Sequence, residues 1–189
     1  MLTIGIDIDD TITNTFNMMK INFFKTKNKD LIDNMEKIIR GYIVNDATIE
    51  FFKGLKHSFV DEIKVKKGAK EAINKLKQDG NKIIIITARA DNYFGDAHKL
   101  CYDYLVKQGI LFDKIIVNSK NKLETCINEK IDIIIDDSVD EVNKALELGI
   151  NAILVTSPLN VNRKCSAKRF NNWSLIYKYI EQKYGNLKN

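Results

Sequence analysis

A chain of 189 residues, 44% hydrophobic and 29% charged, has the size of one domain, or of one domain with a modest insert, and enough apolar residues for a real core. That balance excludes collagen-like, disordered and coiled-coil chains. The formal charge of +5 is almost all lysine, dispersed among Asp and Glu, with arginine only at 40, 89, 163 and 169; this reads as a solvated surface and argues against a nucleic-acid polymer as partner. A net positive field does favour small anionic substrates.

Read from the N-terminus, LTIGIDI (Leu2–Ile8) is a short, continuously apolar strand. Between Asp10 and Gly68 no strand-like run follows. Leu31, Met35 and Ile38 share a helical face, Ile49 and Phe52 begin another, and six of the nine phenylalanines fall in this stretch. So long a connection with its own apolar residues reads as a small helical insert. Three units of one kind come next, each a helical run, a Gly and a β-branched strand. They are Ala69–Asp79 with KIIIIT (Lys82–Thr87), Tyr93–Gln108 with KIIVN (Lys114–Asn118), and Val139–Leu148 with NAILVT (Asn151–Thr156). IDIIID (Ile131–Asp136) adds a fifth strand. Strands that do not alternate are covered on both faces, so the pattern predicts an α/β fold with a doubly wound, Rossmann-like parallel sheet. The tail holds the only proline, in TSPLN (Thr156–Asn160), and a final helix over Arg169–Ile180. The expected division is a core of residues 1–12 and 63–189, with a cap of residues 13–62 over the carboxyl ends of the strands, where open α/β sheets bind ligands.

No apolar run approaches the roughly 20 residues of a membrane span, and MLTIGIDIDD carries neither a basic n-region nor a cleavage site. Cys101, Cys126 and Cys165 lack CxxC spacing, and only His57 and His98 are available beside them. The expectation is a cytoplasmic protein with reduced thiols and no zinc site.

Buried strand ends are costly places for carboxylates. Yet Asp7, Asp9 and Asp10 end the first strand, and Asp136 and Asp137 end the fourth. One pair alone reads as helix caps; two clusters in one sheet point to a hard cation, most often Mg²⁺. Asp10 reads as a turn or cap residue without a chemical role. Thr87, with the backbone N–H groups after it, suits a phosphate oxygen. Lys122, or Lys120, can neutralise a phosphoryl group. Together these groups suit phosphoryl transfer through an aspartyl-phosphate, with a second acid protonating the leaving oxygen and then activating water.

The run DIDDT (Asp7–Thr11) resembles the DxDxT motif of the haloacid dehalogenase superfamily, and Thr87, Lys122 and IDDS (Ile135–Ser138) follow in that superfamily's order. The insert resembles its helical cap in the first insertion position. The resemblance implies Asp7 as nucleophile and Asp9 as general acid/base. It implies Mg²⁺ held by Asp7, the Asp9 carbonyl and Asp137, with Asp136 in support, and phosphate held by Thr87, the Ala88 amide and Lys122. Which of Asp136 and Asp137 binds the ion directly stays open.

TAR (Thr87–Arg89), KLETC, IDIIIDDS, TSPLN and RFNNW narrow the resemblance to bacterial relatives of the cytoplasmic 5'(3')-deoxyribonucleotidases, and so to nucleoside monophosphates. The animal branch has Gly-Val at Asp10-Thr11 and Ser-Pro at Ala88-Arg89. Sugar phosphates and phosphoglycolate are alternative substrates, and a phospho-acceptor or non-hydrolytic binding domain is the alternative class. Phe16 is the candidate substrate contact in the cap, whose other aromatics serve its own core. Arg89 either contacts phosphate or starts its helix.

Overall fold

The computed structural model describes residues 1–185. Six strands, β1 (Thr3–Ile6), β2 (Lys82–Ile86), β3 (Lys114–Ile116), β4 (Ile133–Asp136), β5 (Asn151–Val155) and β6 (Lys168–Phe170), form one sheet in the order β3-β2-β1-β4-β5-β6. All five pairings are parallel. The chain builds outward from β1 through β2 and β3, then crosses back and builds the other half from β4. That reversal puts a topological switch point between β1 and β4, the position where such sheets open a crevice.

Alternate strand residues feed two apolar layers. Ile83, Ile85, Ile133, Ile135, Ile153 and Val155 face one layer, while Ile84, Ile86, Ile134 and Leu154 face the other. The second layer is closed by α9 (Lys122–Asn128) and α10 (Val139–Glu147), which contribute Cys126, Val139 and Val142. The first takes in α6 (Ala69–Gln78), α8 (Ala97–Gln108) and α11 (Trp173–Tyr184). Gly5 sits where a side chain does not fit. A Cβ there would lie 3.1 Å from the Cδ1 atoms of Ile134 and Ile86 and 3.3 Å from Ile131 Cγ2.

Between β1 and α6 lie α1 (Thr15–Lys25), α2 (Lys29–Asp33), α3 (Met35–Ile39), α4 (Asp46–Gly54) and α5 (Ser58–Asp61). The segment departs from and returns to the sheet through a two-stranded neck. Thr13 bridges Val65 antiparallel, with the Asn14 amide donating to Lys64 O at 2.9 Å and the Lys66 amide to Ile12 O at 2.8 Å. Its phenylalanines pack on one another and on the core. Phe23 lies 4.2 Å from Phe51, Phe52 lies 5.2 Å from Tyr93, and Phe59 lies 4.8 Å from Phe94, ring centroid to centroid. Phe23, Ile38, Leu55 and Phe59 continue the first apolar layer without a break.

Three local expectations change. The sheet has six strands rather than five, because Lys168–Phe170 pairs with β5 and the last helix starts only at Trp173; three residues of mixed polarity carry no strand signal of their own. The single helix expected over 93–108 is two, α7 (Asp91–Phe94) and α8. Gly95 at φ +78° ends the first, and Asp96 caps the second by accepting from the Lys99 amide at 2.8 Å. The face of Leu31, Met35 and Ile38 is likewise split at Asn34 between α2 and α3. Among the described residues no helix is long and apolar enough to cross a membrane.

Candidate active site

The register decides which side chains meet. Ile6 pairs with Ile85 on one side and Ile135 on the other, and the Asp7 amide extends that ladder to Ile135 O at 3.0 Å. Asp7 and Asp136 therefore emerge side by side at the carboxyl edge, with Asp137 one residue on. Asp7, Asp136 and Asp137 each offer an oxygen within 4.8 Å of the others. Lys122, at the start of α9, brings its ammonium to 2.7 Å from Asp7 Oδ1 and 2.7 Å from Asp136 Oδ2. The other oxygen of Asp136 accepts from the Ser138 amide at 2.8 Å, so Asp136 is spoken for on both sides while Asp137 lines the cleft.

The electrostatics follow from this crowding. Burial raises the Asp7 carboxyl well above its usual range; Lys122 works against that, and Asp136, Asp9 and Asp137 add to it. Burial, with Asp136 and Asp10, pushes Asp137 up to about 7. Burial alone would depress the Lys122 ammonium, but Asp136 and Asp7 hold it well above its ordinary value. Three carboxylates with one ammonium form a site short of positive charge. An all-oxygen donor set of this kind fits a hard divalent cation.

Asp9 lies apart from that cluster. Its oxygens accept from Arg89 Nη2 at 2.7 Å, Arg89 Nε at 3.0 Å and Thr15 Oγ1 at 2.7 Å. Burial would raise its carboxyl, but Arg89 holds it below the ordinary range, helped by Thr15. Arg89 is buried and paired with Asp9, and is not among the residues that line the cleft. Thr87 is buried at the end of β2. Its backbone N–H donates to Ile116 O at 2.9 Å, and its hydroxyl oxygen accepts from the Arg89 amide at 3.2 Å. Asp10 takes φ +57°, accepts the Phe16 amide at 3.0 Å and lines the cleft with Asp9. Phe16 is buried and does not line the cleft.

That cleft, of about 670 Å³, is lined by Asp9, Asp10, Ala88, Lys122 and Asp137 and includes Lys120. Ile39, Arg40 and Tyr42 reach it from the helical segment, and Asp140, Asn143 and Lys144 from α10. These wall residues carry no motif, and nothing in the sequence singles them out. Arg40 also donates to Leu159 O at 2.6 Å across the opening. The quoted runs TSPLN and RFNNW gain a physical sense here. Asn160 Nδ2 donates to the carbonyls of Asp137 and Val155, each at 2.7 Å, and Arg169 Nη1 donates to Asn160 Oδ1 at 2.9 Å. The two runs brace the backbone that presents Asp137.

The family model for 5' nucleotidase, deoxy (Pyrimidine), cytosolic type C proteins matches residues 1–184. A nucleotidase of Clostridium acetobutylicum is 30% identical over 192 residues, covering 96% of this chain and 94% of that protein. The fold is shared with a predicted phosphatase from Clostridium acetobutylicum, with TM-score 0.68, 15% identity, and 96% of this chain and 99% of that one covered. A haloacid dehalogenase-superfamily hydrolase from Ehrlichia chaffeensis shares it too, with TM-score 0.59, 18% identity, and 95% and 96% covered.

Proposed function

The chain belongs to the 5' nucleotidase, deoxy (Pyrimidine), cytosolic type C family of haloacid dehalogenase-superfamily phosphoric monoester hydrolases, and from that premise we propose a Mg²⁺-dependent phosphatase acting on nucleoside monophosphates in the cytoplasm. The observation that carries this reading is the convergence of Asp7, Asp136 and Asp137 to within 4.8 Å, with Lys122 between Asp7 and Asp136. Asp7 is the nucleophile. Its carboxylate oxygen forms a bond to phosphorus as the bond from phosphorus to the leaving oxygen breaks, and Asp9 delivers a proton to that oxygen. Asp9 then takes a proton from water, whose oxygen attacks phosphorus and releases Asp7 and inorganic phosphate. Thr87, the Ala88 amide and Lys122 bind the phosphoryl oxygens.

Asp7, Asp137 and the Asp9 carbonyl would hold Mg²⁺, with Asp136 supporting through its bonds to Lys122 and the Ser138 amide. The bound ion supplies charge neutralisation for the phosphoryl group and its nucleophile. Residues 13–62 act as a cap and 1–12 with 63–189 as the core, so the leaving group lies against the wall formed by Ile39, Arg40 and Tyr42. The unpaired thiols of Cys101, Cys126 and Cys165 accord with a reducing compartment.

The test is phosphate release from dUMP, dTMP, UMP, phosphoglycolate and hexose phosphates, each with Mg²⁺ and with chelator. Turnover should need Mg²⁺ and vanish in Asp7→Asn. Nucleotides ranking last in the panel would sink the substrate assignment; full activity of Asp7→Asn would sink the chemistry.

A further inference from the structure

Of the three carboxylates that converge at the carboxyl edge, two are held by donors. Asp7 Oδ1 and Asp136 Oδ2 each accept from the Lys122 ammonium at 2.7 Å, and Asp136 Oδ1 accepts from the Ser138 amide at 2.8 Å. Among the described residues the Asp137 carboxyl has no such donor in hydrogen-bond geometry; only its backbone carbonyl is braced, by Asn160 Nδ2 at 2.7 Å. The complementary orphan lies beside it. Ser157 is 3% exposed, and its Oγ is one of three buried side-chain atoms without a hydrogen-bond partner among the described residues.

The register sets these two groups together. Asp136 pairs with Leu154 in the parallel ladder of β4 and β5, so Asp137 stands level with Val155. The Thr156 amide carries the edge one residue further by donating to Phe170 O at 2.8 Å, and alternation along the strand puts Val155 and Ser157, both buried, on one side and half-buried Thr156 on the other. Asn160 ties the same turn to the acid, accepting the Ser157 amide through Oδ1 at 3.1 Å while Nδ2 holds Asp137 O. The Ser157 hydroxyl lowers the Asp137 carboxyl against the burial that raises it, so the two groups interact while falling short of a hydrogen bond of good geometry. A buried hydroxyl without a partner is costly, and a carboxylate that gives one oxygen to a cation is held in place by a donor on the other.

We propose that Ser157 is a positioning residue of the cation site: its hydroxyl donates to one oxygen of Asp137 when the other binds the divalent ion, which gives both orphan groups a partner. The proposal deepens the reading above and rests on the Mg²⁺ site described there.

The test follows the melting temperature of the full chain across a Mg²⁺ titration that starts in EDTA, which reads the affinity for the ion and the stability without it in one experiment. Ser157→Ala should weaken Mg²⁺ binding by about tenfold or more. In EDTA it should melt no lower than the parent, because the hydroxyl has no bond there to lose. Ser157→Cys keeps the shape but offers only a weak donor, and its affinity should fall between the two. An unchanged Mg²⁺ dependence in Ser157→Ala, a drop in EDTA as large as the drop in Mg²⁺, or parent-like affinity in Ser157→Cys overturns the proposal, the last two because they make the side chain a packing element. Asp137→Asn separates the two levels. If the parent does not respond to Mg²⁺, or Asp137→Asn responds as strongly as the parent, the cation site itself falls; if Asp137→Asn abolishes the response and Ser157→Ala leaves it intact, only the role of Ser157 falls.

Discussion

Replacing Lys122 by Met removes the ammonium held 2.7 Å from both Asp7 and Asp136, with little change in side-chain length. The three side chains are 11%, 5% and 1% exposed, so water cannot substitute for the lost charge. At an effective dielectric of about 20, each contact is worth roughly 6 kcal/mol of Coulomb attraction before desolvation is charged against it. Breaking a buried pair from one side typically costs about 3–5 kcal/mol, because the partner is left charged and dry. For a chain of this size that is a fall in melting temperature of roughly 6–20 °C. The loss should be largest near pH 8 in EDTA. It should shrink near pH 5, where Asp137, raised by burial to about 7, takes up a proton and one of the repelling charges is gone. Millimolar Mg²⁺ should raise the melting temperature of Lys122→Met more than that of the parent, since the cation replaces the missing charge. Scanning calorimetry at the two pH values, with and without Mg²⁺, reads all three effects. An equal loss at pH 5 and pH 8, untouched by Mg²⁺, would show that Lys122 contributes packing alone and would refute the charge argument.

Two further outcomes can be checked the same way. Asp10 and Asp137 are each raised to about 7, in both cases chiefly by burial. The folded chain keeps their protons after the unfolded chain has lost them, so stability in EDTA should fall as pH rises from about 4.5 to 7.5. The shift corresponds to roughly 4 kcal/mol for a single such group. Mg²⁺ should flatten the fall, and urea titrations at both pH values would expose the error if stability in EDTA rose instead. Gly5→Ala puts a methyl 3.1 Å from two isoleucine methyls in the closed layer under α9 and α10. Overpacking of that kind costs about 1–3 kcal/mol, and an unchanged melting curve by circular dichroism would contradict it.

The sequence alone determined five of the six strands, because runs such as KIIIIT and NAILVT are apolar on both faces and follow glycines after helical stretches, and IDIIID is apolar in the same way. It also determined which acids stand at strand ends, since DIDDT and IDDS follow those runs directly. Tertiary structure alone decided the sheet order and, with it, the meeting of Asp7, Asp136 and Asp137, because register between strands more than a hundred residues apart is set by packing rather than by local pattern. It decided β6, which exists only by pairing with β5. It placed Lys122 rather than Lys120 between Asp7 and Asp136, a distinction that spacing among many lysines does not carry. And it set Arg89 against Asp9, since a pair 80 residues apart closes only when the sheet brings the ends of β1 and β2 together. Local apolar pattern fixes elements; the partners of a charged side chain are chosen by the three-dimensional neighbours that exclude water from it.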